Sequence, residues 1–244
     1  MSDAEDRHGD LLAAVDFADN PEPRCAVVLA LDTSGSMHGR AIDELNAGLQ
    51  SLSAALRADP LASLRIEIAV VTFGGRVRVA DPAGGSTAPL DPADAFTTVD
   101  RFVAPTLTAE GETPMGEAVR QGLALLRARK ERYRAHGIDY FRPWLLLLTD
   151  GRPTDRGWEA AADEARAEEA RRGVSLYAVG VEGADLHTLA RFCSEARPPL
   201  KLAGLAFAEL FTWLSRSLAA VSQSRPGDQA PLPPVGWAVA DTSS

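Results

Sequence analysis

The sequence predicts an α/β fold: a mostly parallel central sheet with an antiparallel edge hairpin and helices on both faces. Three observations predict it. Short, continuous apolar runs recur along the chain, as CAVVLAL at Cys25–Leu31, WLLLL at Trp144–Leu148 and SLYAVGV at Ser175–Val181. Such runs fit strands buried on both faces, as in a parallel sheet. Between them lie stretches with apolar residues at helical spacing, and strand–helix alternation requires parallel strands joined by right-handed crossovers. Finally, 244 residues that are 45% hydrophobic can bury a sizeable core with no disulfide or zinc staple.

The elements follow in order. Cys25–Leu31 is the first strand and stops at Asp32. Ile42, Leu45, Leu49, Leu52 and Leu56 form a helix stripe closed by Asp59-Pro60, since proline breaks the helical pattern. Ile66–Phe73 is the second strand, Gly74-Gly75 a two-residue turn, and Arg76–Ala80 its short hairpin partner. Arg76 and Arg78 read as the charged outward face of an edge strand. Asp81–Leu90, rich in Pro, Gly and Ser, is loop. Pro114 opens the next helix with Thr113 as N-cap, and Met115, Val119, Leu123 and Leu126 give its apolar face. After Trp144–Leu148, Thr154 or Asp155 caps a helix over Trp158–Arg171, in which Glu164–Arg172 reads as a solvated face; Trp144 and Trp158 read as packing residues. Ser175–Val181 is a strand, and a short helix near Asp185–Cys193, a strand near Leu200–Leu202 and a helix over Phe207–Val221 complete the core. Residues 1–22 read as an acidic N-terminal arm, 23–221 as the folded domain, and 222–244 as a flexible Ser/Pro/Gly-rich tail. In that tail only Pro231–Trp237 is apolar enough to dock on anything.

Acidic side chains outnumber basic ones, 34 to 25, for a net charge of −9. A chain of this sign repels phosphate backbones, so nucleic-acid binding is not expected. Cys25 and Cys193 are too few and too far apart for a disulfide framework or a zinc site, and read as buried free thiols of a reducing compartment. Met1–Asp10 is acidic and polar with no secretion-type start, and no apolar run is long enough for a bilayer. The expectation is a cytoplasmic protein with no membrane association.

One constellation carries chemistry. Asp32-Thr33-Ser34-Gly35-Ser36 follows the first strand, Thr113 stands just ahead of a helix, and Asp150 ends the strand LLLLTD. In open α/β sheets, sites form beyond the carboxyl ends of the strands, where all three segments fall. Asp32, Ser34, Ser36, Thr113 and Asp150 would thus bring hydroxyl and carboxylate oxygens to one point, a donor set for a hard divalent ion such as Mg²⁺.

These residues resemble the von Willebrand factor A (VWA) family and its metal-ion-dependent adhesion site. Asp32, Ser34 and Ser36 match its D-x-S-x-S, and Thr113 and Asp150 match its separated Thr and Asp. The resemblance runs from about Pro23 to Val221. NPEPRC (Asn20–Cys25), LDTSGSM (Leu31–Met37), FRPWLLLLTDGRPTD (Phe141–Asp155) and Trp158 look closest to the bacterial tellurium-resistance-associated, TerY-like group. The resemblance implies a Rossmann-like VWA fold in which Ser34, Ser36 and sometimes Thr113 bind Mg²⁺ or Mn²⁺ directly. Asp32 and Asp150 would act largely through water, and an Asp or Glu of a partner protein would complete the shell. It implies a non-enzymatic protein–protein interaction module in a stress-response or phosphorylation-signalling assembly. Expected partners are a protein kinase and a PP2C-type phosphatase, or a MoxR-type AAA+ ATPase in a chaperone-like complex.

The main rival is a magnesium-dependent hydrolase, which needs a nucleophile or base set against the ion. His8, His38, His136 and His187 form no paired motif, and no P-loop or G-x-S-x-G elbow is present. His38 is near the metal loop but reads as a solvated loop residue.

Overall fold

The computed structural model describes residues 17, 19–82, 84, 92 and 94–239. Strands β1 (Cys25–Asp32), β2 (Ile66–Gly74), β3 (Arg76–Val79), β4 (Thr97–Thr98), β5 (Trp144–Thr149), β6 (Ser175–Gly180), β7 (Leu200–Leu202) and β8 (Ala238–Val239) form one sheet. Its order is β3-β2-β1-β5-β6-β7-β8, with β4 pairing β2. The pairs from β2 through β7 are parallel, whereas β3 and β4 on β2, and β8 on β7, are antiparallel. The expected α/β fold is therefore the one observed. The chain moves outward from β1 in both directions, to β2 on one side and later to β5 on the other. That reversal makes the carboxyl edge between β1 and β5 the topological switch point.

Alternating side chains of the buried strands feed two cores. Val27, Leu29 and Leu31 face α1 (Arg40–Ala58), α2 (Pro60–Arg65) and α6 (Phe207–Ser222), meeting Leu45, Leu49, Phe211 and Leu214. Ala26, Val28 and Ala30 face α3 (Met115–Ala135), α4 (Trp158–Ala170) and α5 (Leu186–Ala190), meeting Val119, Leu123 and Ala161. Each side chain sits on the face that the two-residue strand period assigns it.

The amino edge of the sheet carries a closed polar cluster. Glu67, early in β2, accepts hydrogen bonds from Arg129 Nε (2.7 Å) and Nη2 (2.8 Å) and from the Tyr133 hydroxyl. The Arg24 guanidinium stands 3.7 Å away. Phe17, Phe96 and Tyr133 pack their rings over Arg129 at 5.2, 5.8 and 5.3 Å.

Several sequence expectations change. The stripe of α1 does end at Asp59-Pro60, but a new helix, α2, begins there: Asp59 accepts from the backbone N–H groups of Leu61 and Ala62, and Pro60 takes the first helical position. Thr113 does not cap α3, and neither Thr154 nor Asp155 caps α4, whose N-cap is Gly157. Asp155 instead caps α3 from across the molecule, accepting from Gly116 N (3.1 Å) and Glu117 N (2.9 Å). The Glu164–Arg172 run is not wholly solvated. Glu168 and Glu169 are buried, Glu168 taking Arg127 and Arg171, and Glu169 taking Arg197.

Finally, the segment after Ser222 returns to the sheet instead of trailing free. Trp237 is buried and packs edge-on against Trp213 at 5.6 Å, whose indole N–H donates to Pro233 O (2.9 Å). Ala203 N donates to Trp237 O (3.0 Å), and β8 extends the sheet. Apolar burial of one tryptophan outweighs the poor local propensity of the proline-rich approach. At the other end, Glu22 pairs with Arg65 (2.6 Å) and Asn20 donates to Leu64 O (2.9 Å), so the last residues of the acidic arm also pack on the domain. Residues 1–16, which include His8, and most of the 81–90 loop lie outside the described residues. No helix among the described residues is long and apolar enough to cross a membrane.

Candidate metal centre

Strand register brings the first loop and the β5 terminus together. Leu31 pairs with Leu148, so Asp32 and Thr149 leave neighbouring strands side by side at the switch point. Asp32 is buried: one carboxylate oxygen accepts Ser34 N–H (2.8 Å) and the other accepts the Thr149 hydroxyl. Thr149 Oγ1 in turn accepts Gly151 N–H (3.1 Å), which fixes the turn carrying Asp150. Ser34 Oγ lies 3.1 Å from Ser36 Oγ, and Ser36 Oγ donates to Asp150 Oδ1 at 2.7 Å. Ser34 is buried and Ser36 exposed, so the row of oxygens runs from the sheet out to solvent.

Thr113 arrives from a third loop. Its backbone is clamped to the loop beyond β5, since Thr113 N donates to Thr154 Oγ1 (3.1 Å) and Thr154 N to Thr113 O (2.9 Å). Its hydroxyl is not spent on capping α3 and lies over Gly151: a Cβ added there would stand 3.3 Å from Thr113 Oγ1. The same loop is tied to the hairpin and to the first loop. Gly35 N donates to Gly111 O (2.9 Å), Gly75 N to Glu112 O (2.7 Å) and Glu110 N to Thr33 O (2.7 Å). Gly111 has φ +72°, and a Cβ there would come within 2.6 Å of Gly75 Cα. Only glycine meets both demands.

All five residues singled out in the sequence thus converge. Thr149, Thr154, Asp155 and Gly111 were not singled out. Their neighbourhood to Asp150 and Thr113 was visible, but their roles depend on strand register and on contacts between loops. His38 is exposed at the end of the short 3₁₀ turn Gly35–Met37, as expected of a solvated loop residue.

The electrostatics are those of buried and half-buried acids with no cationic side chain of the described residues paired to them. Burial pushes the Asp32 carboxyl up to about 6, only partly offset by hydrogen bonds from Ser34 and Thr149, and nearby Asp150 adds to the rise. Burial also raises Asp150. No Lys or Arg of the described residues forms an ion pair with either. The donor set suits a divalent ion. Adjacent ligands on an octahedral Mg²⁺, bound at about 2.0–2.1 Å, stand roughly 2.9 Å apart, and the Ser34–Ser36 and Ser36–Asp150 separations bracket that value. Hydroxyls make up most of this set: among the described residues no three His, Cys, Asp or Glu side chains gather as a metal cage.

A mostly parallel open sheet with a hydroxyl-rich acidic cluster at its switch point defines the class: an α/β domain whose candidate site lies at the carboxyl edge. The chain belongs to the von Willebrand factor type A domain family, whose sequence profile matches residues 26–208. Solved structures of the same fold include a von Willebrand factor type A protein from Catenulispora acidiphila, 19% identical with a TM-score of 0.53, covering 81% of this chain and 43% of that one. The pilus adhesin SpaC from Lactobacillus rhamnosus GG is 14% identical with a TM-score of 0.61, covering 83% of this chain and 31% of its own. In sequence, mouse matrilin-4 is 50% identical over 56 residues, which is 23% of this chain and 8% of matrilin-4. The chain therefore spans less than half the length of each of these relatives.

Proposed function

We propose that this protein recognises another protein through a divalent ion, Mg²⁺ or Mn²⁺, held by Asp32, Ser34, Ser36, Thr113 and Asp150. The observation that carries the reading is the row of oxygens from Ser34 through Ser36 to Asp150, backed by a buried Asp32 and met by no cation of the described residues. A bound ion supplies a charged contact point for a carboxylate oxygen of the partner. The three hydroxyls are neutral ligands, which leaves the ion's charge largely uncompensated, and Asp32 orients the first loop through Ser34 N and the β5 turn through Thr149. A carboxylate contact of this kind is charge-assisted and gains strength where water is excluded. A groove of about 700 Å³ begins at Thr33 beside the site and runs between the β2–β3 hairpin and residues 105–110. It gives a partner segment room next to the ion.

The role is binding, not catalysis, in this reading: among the described residues the histidine near the site is His38, which is solvent-exposed and in no hydrogen bond with the five candidate residues. The finer assignment rests on the likeness to the tellurium-resistance-associated group: a stress-response or phosphorylation-signalling assembly in the cytoplasm. Its kinase and PP2C-type phosphatase are the proposed partners, with a MoxR-type AAA+ ATPase as the alternative.

Titration calorimetry with Mg²⁺ and Mn²⁺ tests the site, with binding expected for the wild type and lost in Asp150→Ala. A pull-down from the native host with Mg²⁺, compared with Asp150→Ala and with an EDTA wash, tests the function. A partner that survives both the substitution and the wash would place recognition elsewhere, and its identity by mass spectrometry decides between the two partner classes.

A further inference from the structure

In a chain of net charge −9, six cationic side chains line a single pocket of about 410 Å³ at the opposite, amino edge of the sheet. Arg127, Lys130 and Arg134 come from the C-terminal half of α3, Arg142 from just before β5, and Arg171 and Arg172 from the end of α4. Glu131 and Glu168 are the acids among the lining residues. Glu168 is taken up by Arg127 and Arg171. The other four cations meet no carboxylate in an ion pair among the described residues. Lys130 Nζ donates to Gly173 O (3.0 Å), and Arg142 donates to Val174 O (2.7 Å) and Glu169 O (2.8 Å). Arg134 lies 5.7 Å above the Tyr140 ring. Neutral carbonyls aim these groups but leave their charge intact. Burial lowers the Lys130 ammonium's pKa, and Arg134, Arg171 and Arg127 add to that effect while Glu168 opposes it.

Helix C-termini attract cations through the backbone dipole, which accounts for Arg134 and Arg171. It does not account for Arg142, which precedes a strand. Nor does it explain an arginine at 172, whose φ of +59° is the only positive value at a non-glycine among the described residues and a conformation that asks for glycine. A second cavity of about 450 Å³ shares Arg142 and Arg172 with the first, and Trp144, Tyr177 and Leu232 are among the residues that line it. A multiply charged group in the basic pocket would therefore carry an organic body next door.

We propose that the basic pocket binds the phosphate group of a small soluble phosphate ester, whose body occupies the adjoining cavity. Guanidinium forks match phosphate oxygens in pairs, and four cations in no ion pair, with Glu131 as the remaining acid of the lining, leave an excess of positive charge that a multiply charged anion would answer.

The test is calorimetry on the full chain with pyrophosphate, in EDTA so that no metal can bridge the anion to the carboxyl-edge site. Saturable binding is expected, weakened about tenfold or more in Arg134→Gln/Arg172→Gly. Glycine adopts the backbone of residue 172 without strain, which works against the helix-end and Tyr140 contacts that Arg134→Gln gives up, and a thermal melt of the variant separates lost affinity from unfolding. ADP, which adds a planar body, is expected to bind at least as tightly as pyrophosphate; weaker binding would overturn the placement of the body. Equal affinity in wild type and variant, or no heat from either anion, would overturn the site. Retention on vesicles containing phosphatidylinositol 4-phosphate with no response to soluble anions would overturn the soluble ligand in favour of a lipid headgroup.

Discussion

Glu67 and Asp32 are buried acids on neighbouring strands, one at the amino end of β2 and the other at the carboxyl end of β1, and they meet opposite surroundings. Burial acts to raise the Glu67 carboxyl, but the Arg129 guanidinium outweighs it, with Arg24 and Tyr133 assisting, and holds it below the usual carboxylate range. Asp32 meets only an amide and a hydroxyl, and its carboxyl rises to about 6. The same residue chemistry, buried in both places, is completed by charged partners of the chain at one end and meets no cation of the described residues at the other, where the proposed ion would sit. The difference separates a polar cluster that holds the fold together from one that acts on something else.

Removing the carboxylate at each end is the strongest way to test that contrast. Glu67→Ala removes the carboxylate that two buried guanidiniums share and should cost about 3–5 kcal/mol, read by denaturant unfolding. Asp32→Asn should cost no stability in EDTA. If both variants lose stability equally, the contrast fails.

Next in size are two pH dependences of opposite sign in the metal-free protein. Glu67, lowered on folding, contributes stability above its unfolded pKa that is lost as pH falls through its folded value. Asp32, raised on folding, keeps its proton in the native state while the unfolded chain releases it. Its share of stability therefore declines as pH rises from 3.8 to about 6, by roughly 3 kcal/mol. Asp32→Asn should flatten that limb and leave the Glu67 limb untouched, as a series of melts between these pH values would reveal.

A similar amount should return with metal. Mg²⁺ at a hundred times its dissociation constant stabilises by about 2.7 kcal/mol, and the gain should vanish in Asp150→Ala but persist in a variant that weakens the amino-edge cluster, such as Tyr133→Phe. The smallest expected effect is that of Ser36→Ala. Exposed and at the rim, it should change metal-free stability by less than about 0.5 kcal/mol yet weaken Mg²⁺ binding measurably by calorimetry. A matching loss of stability would make Ser36 a structural residue like Tyr133.

The fold was largely legible because buried parallel strands carry their signal within themselves: a continuous apolar run, then a polar stop. The clustering of the five candidate residues was legible as well, because three of them fall within five consecutive positions at such a stop. What escaped depends on distance. Thr113-Pro114 has the local form of a helix cap, but the side chain that caps α3 is Asp155, which lies 38 and 39 residues from the amides it accepts. Helix α2 is too short to show a stripe, although Asp59-Pro60 carried its start. Glu168 and Glu169 hide within a charged run because their burial is set by arginines on α3 and after α5. The return of the chain to form β8 is anchored by Trp237, with Pro233 O and the β7 pairing assisting, in a stretch whose prolines and glycines speak for a loose tail. Trp237→Ala should accordingly lower stability by about 3 kcal/mol, where a dangling tail would lose nothing.

The five-residue step from Asp150 to Asp155 works as a ruler. One end faces the oxygens of the site, the other clamps the start of α3, and Thr154 between them grips Thr113. One inserted residue would let only one end stay in place, so this segment should reject changes in length even where it tolerates changes in side chain. A tag or reporter belongs instead in the turn beside Gly137, where an added Cβ meets nothing within 4 Å, with the glycine itself kept because its φ is +66°. Engineering of this domain thus has one turn that can be lengthened and one whose count must be kept.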